Sequence, residues 1–214
     1  MKGFGEKPQS KREKIVIDKQ KVNIDQLIKT AFTLQAQGRK LEAAKYYSYL
    51  IKKGVNDYRV FSNYGIFLNE IGKHKEAELE LKKAISFNPK NANAYYNLAV
   101  IYISQGYLEK AELELKKAIS FNPKYANAYY NLGVILKDLG RLKEAESSNL
   151  KAVEVDPHLT DAYLSLSTMK ASNKSQKWHN QLFSESLLKN KTNRELVNIF
   201  FARSNIFHRE GKYK

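Results

Sequence analysis

Residues 77–90 read Ala-Glu-Leu-Glu-Leu-Lys-Lys-Ala-Ile-Ser-Phe-Asn-Pro-Lys, and residues 111–124 repeat the same fourteen letters without a change. A second shared stretch, Ala-Asn-Ala-Tyr-Tyr-Asn-Leu, occupies residues 92–98 and again residues 126–132, also 34 positions apart. The same step separates three of the four prolines, which are Pro89, Pro123 and Pro157. A period of this length is typical of arrays in which each repeat is one supersecondary unit.

Within each period the apolar and small residues recur at helical spacing. One such row, with spacing i, i+3, i+4, i+7, consists of Tyr95, Leu98, Ala99 and Tyr102. Gly106 interrupts the row, and a second helical row begins at Leu108. It ends before Pro123, because the residue that precedes a proline is pushed out of the helical region. Each period therefore predicts a helix A, a short turn, a helix B and another short turn.

This pattern resembles the tetratricopeptide repeat (TPR), whose signature is W-x2-L-G-x2-Y, then A-x3-F, then P. The matching positions of one unit are Tyr95, Leu98, Ala99, Tyr102, Ala111, Leu115 and Pro123. The resemblance implies an all-α fold, a right-handed α-solenoid of helix-turn-helix repeats with divergent C-terminal helices. We expect four repeats, at residues 24–57, 58–91, 92–125 and 126–159.

The repeat pattern is absent before residue 24 and weakens after residue 159. Residues 1–23 carry seven basic and three acidic side chains with few apolar ones, which predicts a basic, flexible tail. Residues 160–214 predict divergent TPR-like helices that end partway through a repeat. We expect helices at 160–171, 178–188 and 194–209, the last resembling one more helix A, and a turn at 171–175.

One position departs from the repeat inside the array. Asn149 stands where the two preceding units have Leu81 and Leu115. A polar side chain is expensive to bury without hydrogen bonds. We therefore expect helix B of this unit to shift so that Leu150 packs in its place; a weak junction to the next unit is the alternative.

Composition excludes several classes of function. The chain has no Cys, so it has no disulfide framework, thiolate nucleophile or Cys-ligated metal. The four histidines share no ligand spacing, and no phosphate-binding loop or nucleophile elbow is present. We expect no enzyme activity, cofactor or metal. No apolar run approaches the ~20 residues of a membrane span, and no secretory signal is visible, so we expect a cytoplasmic protein.

The net charge of +15 makes nucleic acid a partner to consider. However, the charge is +4 in residues 1–23, +5 in 24–159 and +6 in 160–214, so the repeats are close to balance. The chain has 30 Lys and 7 Arg, whereas recognition of phosphates and bases relies on Arg. The sequence thus favours a protein or peptide partner over nucleic acid and leaves the oligomeric state open.

Three asparagines, Asn63, Asn97 and Asn131, follow the 34-residue step on helix A. Helix A lines the concave groove of TPR arrays, where an amide that donates and accepts suits an extended peptide backbone. The series resembles the asparagine ladder in the TPR arm of O-linked N-acetylglucosamine transferase, which implies that it grips peptide main chain. The expected neighbours in the groove are Tyr96, Tyr130, Ile66, Val100 and Val134. Alternatively, the asparagines cap or bridge neighbouring helices.

Two functions remain open from the sequence. The first is a non-catalytic scaffold that binds a peptide or partner protein in the groove. The second is a truncated substrate-docking arm of a larger sulfotransferase-like or glycosyltransferase-like enzyme. A last helix A without its helix B would expose Phe200, Ile206 or Phe207. The opening Met-Lys-Gly-Phe-Gly-Glu and residues 178–214 also resemble bacterial TPR proteins that continue into a sulfotransferase-like domain.

Overall fold

The computed structural model of the chain describes residues 23–169 and 176–211. In these ranges the chain forms eleven α-helices and a 3₁₀ helix at Glu185–Leu188. The expected tail, apart from Asn23, and the turn expected at 171–175 lie outside the described residues. The α-helices are α1 (Ile24–Ala36), α2 (Lys40–Lys52), α3 (Tyr58–Glu70), α4 (His74–Phe87), α5 (Ala92–Ser104), α6 (Leu108–Phe121), α7 (Ala126–Asp138), α8 (Leu142–Val155), α9 (Thr160–Thr168), α10 (Gln176–Leu182) and α11 (Asn193–Arg209).

The first eight helices form four antiparallel pairs, α1 with α2, α3 with α4, α5 with α6, and α7 with α8. Each pair is joined by a tight turn containing a glycine whose φ lies between +74° and +78°, at Gly38, Gly72, Gly106 and Gly140. Glycine adopts this left-handed conformation without a steric penalty, which explains its recurrence at every step. The predicted all-α solenoid of helix-turn-helix repeats is confirmed.

Small residues on helix A let helix B approach closely. A Cβ atom built on Gly65 of α3 would lie 2.9 Å from Cγ of Leu81 on α4. The equivalent position in α5 is Ala99, which is fully buried, as is Leu115 of α6. Leu81, Ala99 and Leu115 belong to one apolar cluster that runs through several repeats. Stability therefore comes from stacking, because no single helix pair covers its own apolar face.

The same contacts recur one repeat apart. Phe61 stacks on Phe87 with ring centroids 5.3 Å apart, and Tyr95 stacks on Phe121 at 5.5 Å. Ion pairs on helix B are repeated in the same way, as Lys83–Glu80 and Lys117–Glu114. The identical residues 77–90 and 111–124 thus make the same stacking contacts and ion pairs in two consecutive repeats.

Asn149 occupies the helix B position of Leu81 and Leu115, and the expected shift of helix B is wrong. α8 keeps the register of the earlier B helices, and the Asn149 side chain is fully buried. Its Nδ2 donates to the Ala145 carbonyl at 2.9 Å, whereas Oδ1 has no partner among the described residues. The amide fits because Gly133 lies opposite, where a Cβ would be 2.3 Å from Nδ2.

The single helix expected at 178–188 is divided into α10 and the 3₁₀ helix. Arg203 of α11 donates from Nε to the Leu182 carbonyl at 2.9 Å and from Nη2 to the Ser184 carbonyl at 3.2 Å. These bonds engage carbonyl groups that end a helix without intrahelical partners. A tertiary contact therefore stabilises the break.

α11 lies parallel to α9 and packs directly on it. Asn198 donates to Asp161 at 3.0 Å near the N-terminal ends of the two helices, and Asn205 donates to Ser167 at 3.0 Å near their C-terminal ends. This direct contact is possible because α10 has 7 residues, whereas the helix B of a complete repeat such as α8 has 14.

The face that α11 buries differs from that of helix A in the repeats. Its buried residues are Ile199, Ala202 and Ile206. Two of them, Ile199 and Ala202, lie two 34-residue steps after Asn131 and Val134, which are half-buried in α7. A helix is present where one more helix A was expected, but it is turned about its axis. Ile206, expected to be exposed, is therefore buried.

Candidate peptide-binding groove

The asparagines and aliphatic residues of the predicted site lie on sides of α3, α5 and α7 that are turned away from the small residue facing helix B, whereas Tyr96 and Tyr130 lie about 60° from that residue and border this surface. Gly65, Ala99 and Gly133 are the small residues of these helices that face helix B. On an α-helix, the residue two positions before such a residue is rotated by about 200° from it, and the residue one position after it is rotated by about 100°. The side chains at these positions are half-buried. This surface, called the groove from here on, comprises Asn63, Ile66, Tyr96, Asn97, Val100, Tyr130, Asn131 and Val134.

Each of the three asparagines uses part of its amide within the protein. Oδ1 of Asn63 accepts from Nε2 of Gln35 on α1 at 3.4 Å. Nδ2 of Asn97 donates to the carbonyl one turn back on its own helix at 2.7 Å. Nδ2 of Asn131 donates to the Tyr96 hydroxyl on α5 at 3.2 Å. Asn63 and Asn131 therefore bridge neighbouring A helices, as the alternative interpretation expects, and Asn97 does not.

The amide oxygens of Asn97 and Asn131 remain available to a ligand. Among the described residues, no group donates to Oδ1 of either side chain. A primary amide oxygen accepts up to two hydrogen bonds, and an extended peptide offers backbone N–H groups along its length. The arrangement therefore combines a structural bond at one end of each amide with an open acceptor at the other.

The tyrosines of the groove are neutral at physiological pH. Tyr96 packs on Tyr125 with ring centroids 4.7 Å apart. Burial raises the pKa of Tyr96, and burial together with the Asp161 carboxylate raises the pKa of Tyr130. Because deprotonation is disfavoured, these phenols act as hydrogen-bonding and apolar surface. The geometry suits hydrogen bonds and apolar contacts more than ion pairing.

The α1 end of the groove contains residues that the sequence analysis missed. Tyr47 of α2 donates to Gln35, which donates to Asn63, and these three side chains help to line a cavity of about 30 Å³. Burial raises the pKa of Tyr47 to about 12. The equivalent positions in the next repeats are Leu81 and Leu115, so the repeat pattern indicated only a core residue at Tyr47.

Acidic residues of helix B pair with lysines one helical turn further on. Glu78 lies 2.6 Å from Lys82, and Glu112 lies 2.6 Å from Lys116. Within residues 23–169 and 176–211, no group of three or more His, Asp or Glu side chains is placed to hold a metal ion. Within the same ranges, no helix has the length and apolar character of a membrane span.

Comparison with known families finds the repeat in the sequence itself. A model described as "TPR repeat" matches residues 68–106 and 101–140, and a model described as "Tetratricopeptide repeat" matches residues 126–159. No curated protein sequence matches the chain.

Several solved structures share the fold at low sequence identity. MamA residues 41 to the end, from Desulfovibrio magneticus RS-1, is 20% identical over 85% of this chain and 96% of its own, with a TM-score of 0.62. YrrB, described as a TPR protein with an unusual peptide-binding site, is 18% identical over 88% and 92%, with a TM-score of 0.62. PilF from Pseudomonas aeruginosa is 16% identical over 89% and 77%, also at 0.62.

Proposed function

Because this chain is a tetratricopeptide repeat protein, with the family's repeats matched over residues 68–159, we propose that it is a non-catalytic scaffold that binds a peptide or partner protein in its groove. TPR proteins typically mediate protein or peptide binding, and YrrB, which shares the fold, is described as having a peptide-binding site. The enzyme-arm alternative uses the same groove and stays a prediction.

The open acceptor on Asn97 is the observation that carries this proposal. Among the described residues, the Asn97 amide makes one hydrogen bond, which lies within its own helix, so it does not connect repeats. One repeat further on, Oδ1 of Asn131 is likewise without a donor among the described residues. A neutral surface with acceptors at one-repeat intervals between tyrosines and aliphatic side chains suits the main chain of an extended peptide.

The ligand class is tested with peptides selected on the folded protein. A library of random peptides displayed on phage is selected against the wild type, and the affinities of the enriched peptides are then measured for Asn97→Ala. We expect the loss of one hydrogen bond to weaken binding about three- to tenfold. The triple variant of Asn63, Asn97 and Asn131 to Ala should weaken it further.

Asn180→Ala is the matched control, because Asn180 is an exposed asparagine on α10, away from the A helices that carry the groove. It should bind the selected peptides as the wild type does. Because Asn63 and Asn131 bridge helices, circular dichroism must show that the triple variant is folded. An unchanged affinity in a folded triple variant would rule the groove out as the binding site.

A further inference from the structure

The cavity beside Tyr47 opens on the groove. It has a volume of about 30 Å³ and lies between the first two repeats, where α2 meets α3. Two of its lining residues, Asn63 and Ile66, belong to the groove, and two others, Lys40 and Glu70, are exposed. A side chain of a peptide in the groove can therefore enter it. We call it the Tyr47 cavity.

Phe67, which lines the Tyr47 cavity, explains why this space is open. The equivalent residues of the next two repeats, Ile101 and Ile135, are fully buried. Phe67 is only half-buried, and its ring lies against Tyr64 on the same helix, with ring centroids 6.4 Å apart. Protein interiors leave few voids larger than a water molecule. The exchange of a buried isoleucine for a half-buried ring accounts for this one.

The volume of the cavity limits the size of a side chain that can enter. A void holds one water molecule from about 10–15 Å³ upward, so a void of this size accommodates roughly two or three non-hydrogen atoms. The side chain of serine has two such atoms, those of threonine and valine have three, and that of leucine has four. The cavity therefore selects a short side chain.

The polar wall of the cavity offers hydrogen-bond donors. Tyr47 donates its one proton to Oε1 of Gln35, and Gln35 donates one of its two amide protons to Oδ1 of Asn63 at 3.4 Å. In the described part of the chain (residues 23–169 and 176–211), the second amide proton of Gln35 and at least one on Asn63 have no acceptor. The Tyr47 oxygen keeps lone pairs that can accept. A hydroxyl group matches this wall, because it accepts and donates at once.

The charges at the cavity disfavour an ionised occupant. Lys40 Nζ lies 2.7 Å from Oε1 of Glu70, so these two charges neutralise each other. An ionised side chain is costly to bury without a partner of opposite charge. Ala43, Ile66 and Phe67 make the rest of the wall apolar. Together these groups suit a short, neutral side chain with an apolar stem and one hydroxyl.

We propose that the Tyr47 cavity takes a serine or threonine side chain of the peptide bound in the groove. The hydroxyl of that residue accepts from the amides of Gln35 and Asn63 and donates to the Tyr47 oxygen. Its carbon atoms lie against Ala43 and Ile66. This proposal rests on the proposed function, because the ligand has to lie in the groove. It adds a side-chain requirement to contacts that otherwise involve the peptide main chain.

The requirement is tested on peptides that phage display selects against the full chain and whose binding Asn97→Ala weakens. Each position of such a peptide is replaced in turn by Thr, Val, Ser, Ala and Leu, and the affinities are measured by fluorescence anisotropy. At one position threonine should bind about tenfold more tightly than valine, which has the same shape but leaves buried donors unpaired. Serine should exceed alanine there, and leucine should bind most weakly because it overfills the cavity.

Two variants test the cavity itself. Tyr47→Phe removes the hydroxyl and should reduce the preference for threonine over valine while the valine peptide binds as before. Phe67→Ile introduces the residue that is buried in the next repeats and should weaken the threonine peptide by closing the space. Tyr102→Phe is the matched control, because Tyr102 is a buried tyrosine outside the groove that donates to Glu78 at 3.0 Å. It should bind both peptides as the wild type does.

Circular dichroism must show that the variants are folded, and if Tyr47→Phe is not, Phe67→Ile decides. Asn97-dependent peptides without a position that prefers threonine over valine would overturn the proposal and leave the groove assignment intact, since the cavity would then hold only water. A preference that survives in both cavity variants would overturn it as well. Failure to select any Asn97-dependent peptide would instead overturn the proposed function, and this proposal with it.

Discussion

Replacing Asn149 with Leu should stabilise the protein. The Asn149 side chain is fully buried, and its Oδ1 is an acceptor without a partner in the part of the chain that the structure describes. It also lies on α8 between two apolar clusters, one reaching α8 at Ala145 and the other at Ala152 and Val153. Asn149→Leu removes the polar atom and joins these clusters through an aliphatic side chain.

The size of the effect follows from the groups exchanged. An unsatisfied buried acceptor costs about 1–3 kcal/mol, and the burial of a leucine contributes a favourable amount of about 1.5–3 kcal/mol. The lost Nδ2 bond to the Ala145 carbonyl and the volume that Asn149 already fills offset part of this gain. We expect the free energy of unfolding to rise by about 2 kcal/mol. Leucine fits opposite Gly133 as Leu81 fits opposite Gly65.

The assay is urea unfolding followed by circular dichroism. For a slope of about 2 kcal/mol per molar urea, the midpoint of Asn149→Leu should increase by about 1 M. The reverse change, Leu81→Asn, is the matched control, because a glycine also lies opposite that position, and it should lower the midpoint. If Leu81→Asn destabilises while Asn149→Leu leaves the midpoint unchanged or lowers it, the reasoning about the orphaned oxygen is refuted.

Two further predictions concern pH. The Thr192 backbone amide and Lys191 lower the pKa of Glu195 to about 2 from 4.5, so its contribution to stability is present above pH 4.5 and is lost as the pH falls toward 2. Acid melts should show a smaller drop in Glu195→Gln; an equal drop in both proteins would contradict this. Burial and the Asp156 carboxylate raise the pKa of Tyr163 to about 12 from 10.0, so its contribution is present below pH 10 and is lost as the pH rises through 12. Tyr163→Phe should unfold less steeply in alkali and lack one late step in tyrosinate absorbance; an unchanged titration would contradict this.

The sequence predicted the helix pairs because their end signals are local. Glycine in each A–B turn and the proline after helix B in three of the four repeats act on the neighbouring backbone and need no tertiary context. The first unit lacks the proline and has Val55 instead, yet Gly54 still closes α2 with a φ of +76°. Helix boundaries inside the repeats therefore follow from letters a few positions apart.

The errors share a different origin, which is packing between distant segments. Asn149 stays in the core because Gly133, sixteen positions earlier, leaves room for its amide. The helix expected at 178–188 breaks because Arg203 engages two carbonyl groups of that segment. The face of α11 is set by the shortness of α10. The periodicity of the sequence carries no information about contacts between such distant segments.

The candidate groove was predicted in part. The 34-residue step identified the positions of Asn63, Asn97 and Asn131, but the bonds of each amide depend on whichever neighbour the adjacent helix supplies. Gln35 reaches Asn63 and Tyr96 reaches Asn131, whereas Asn97 turns back to its own helix. The repeated asparagine thus has a different hydrogen-bond partner in each of the three repeats, and only the structure distinguishes them.

Because two consecutive repeats make the same contacts, the protein can gain or lose whole repeats over evolution. Removing residues 92–125 would connect Asn91 to Ala126, and the seven residues from Ala126 are the same as those from Ala92. The shortened chain would present α4 with a neighbour that begins as its present one does, so the interface would need little redesign. Gene duplication or deletion in steps of 34 codons can therefore lengthen or shorten the groove and match it to longer or shorter ligands.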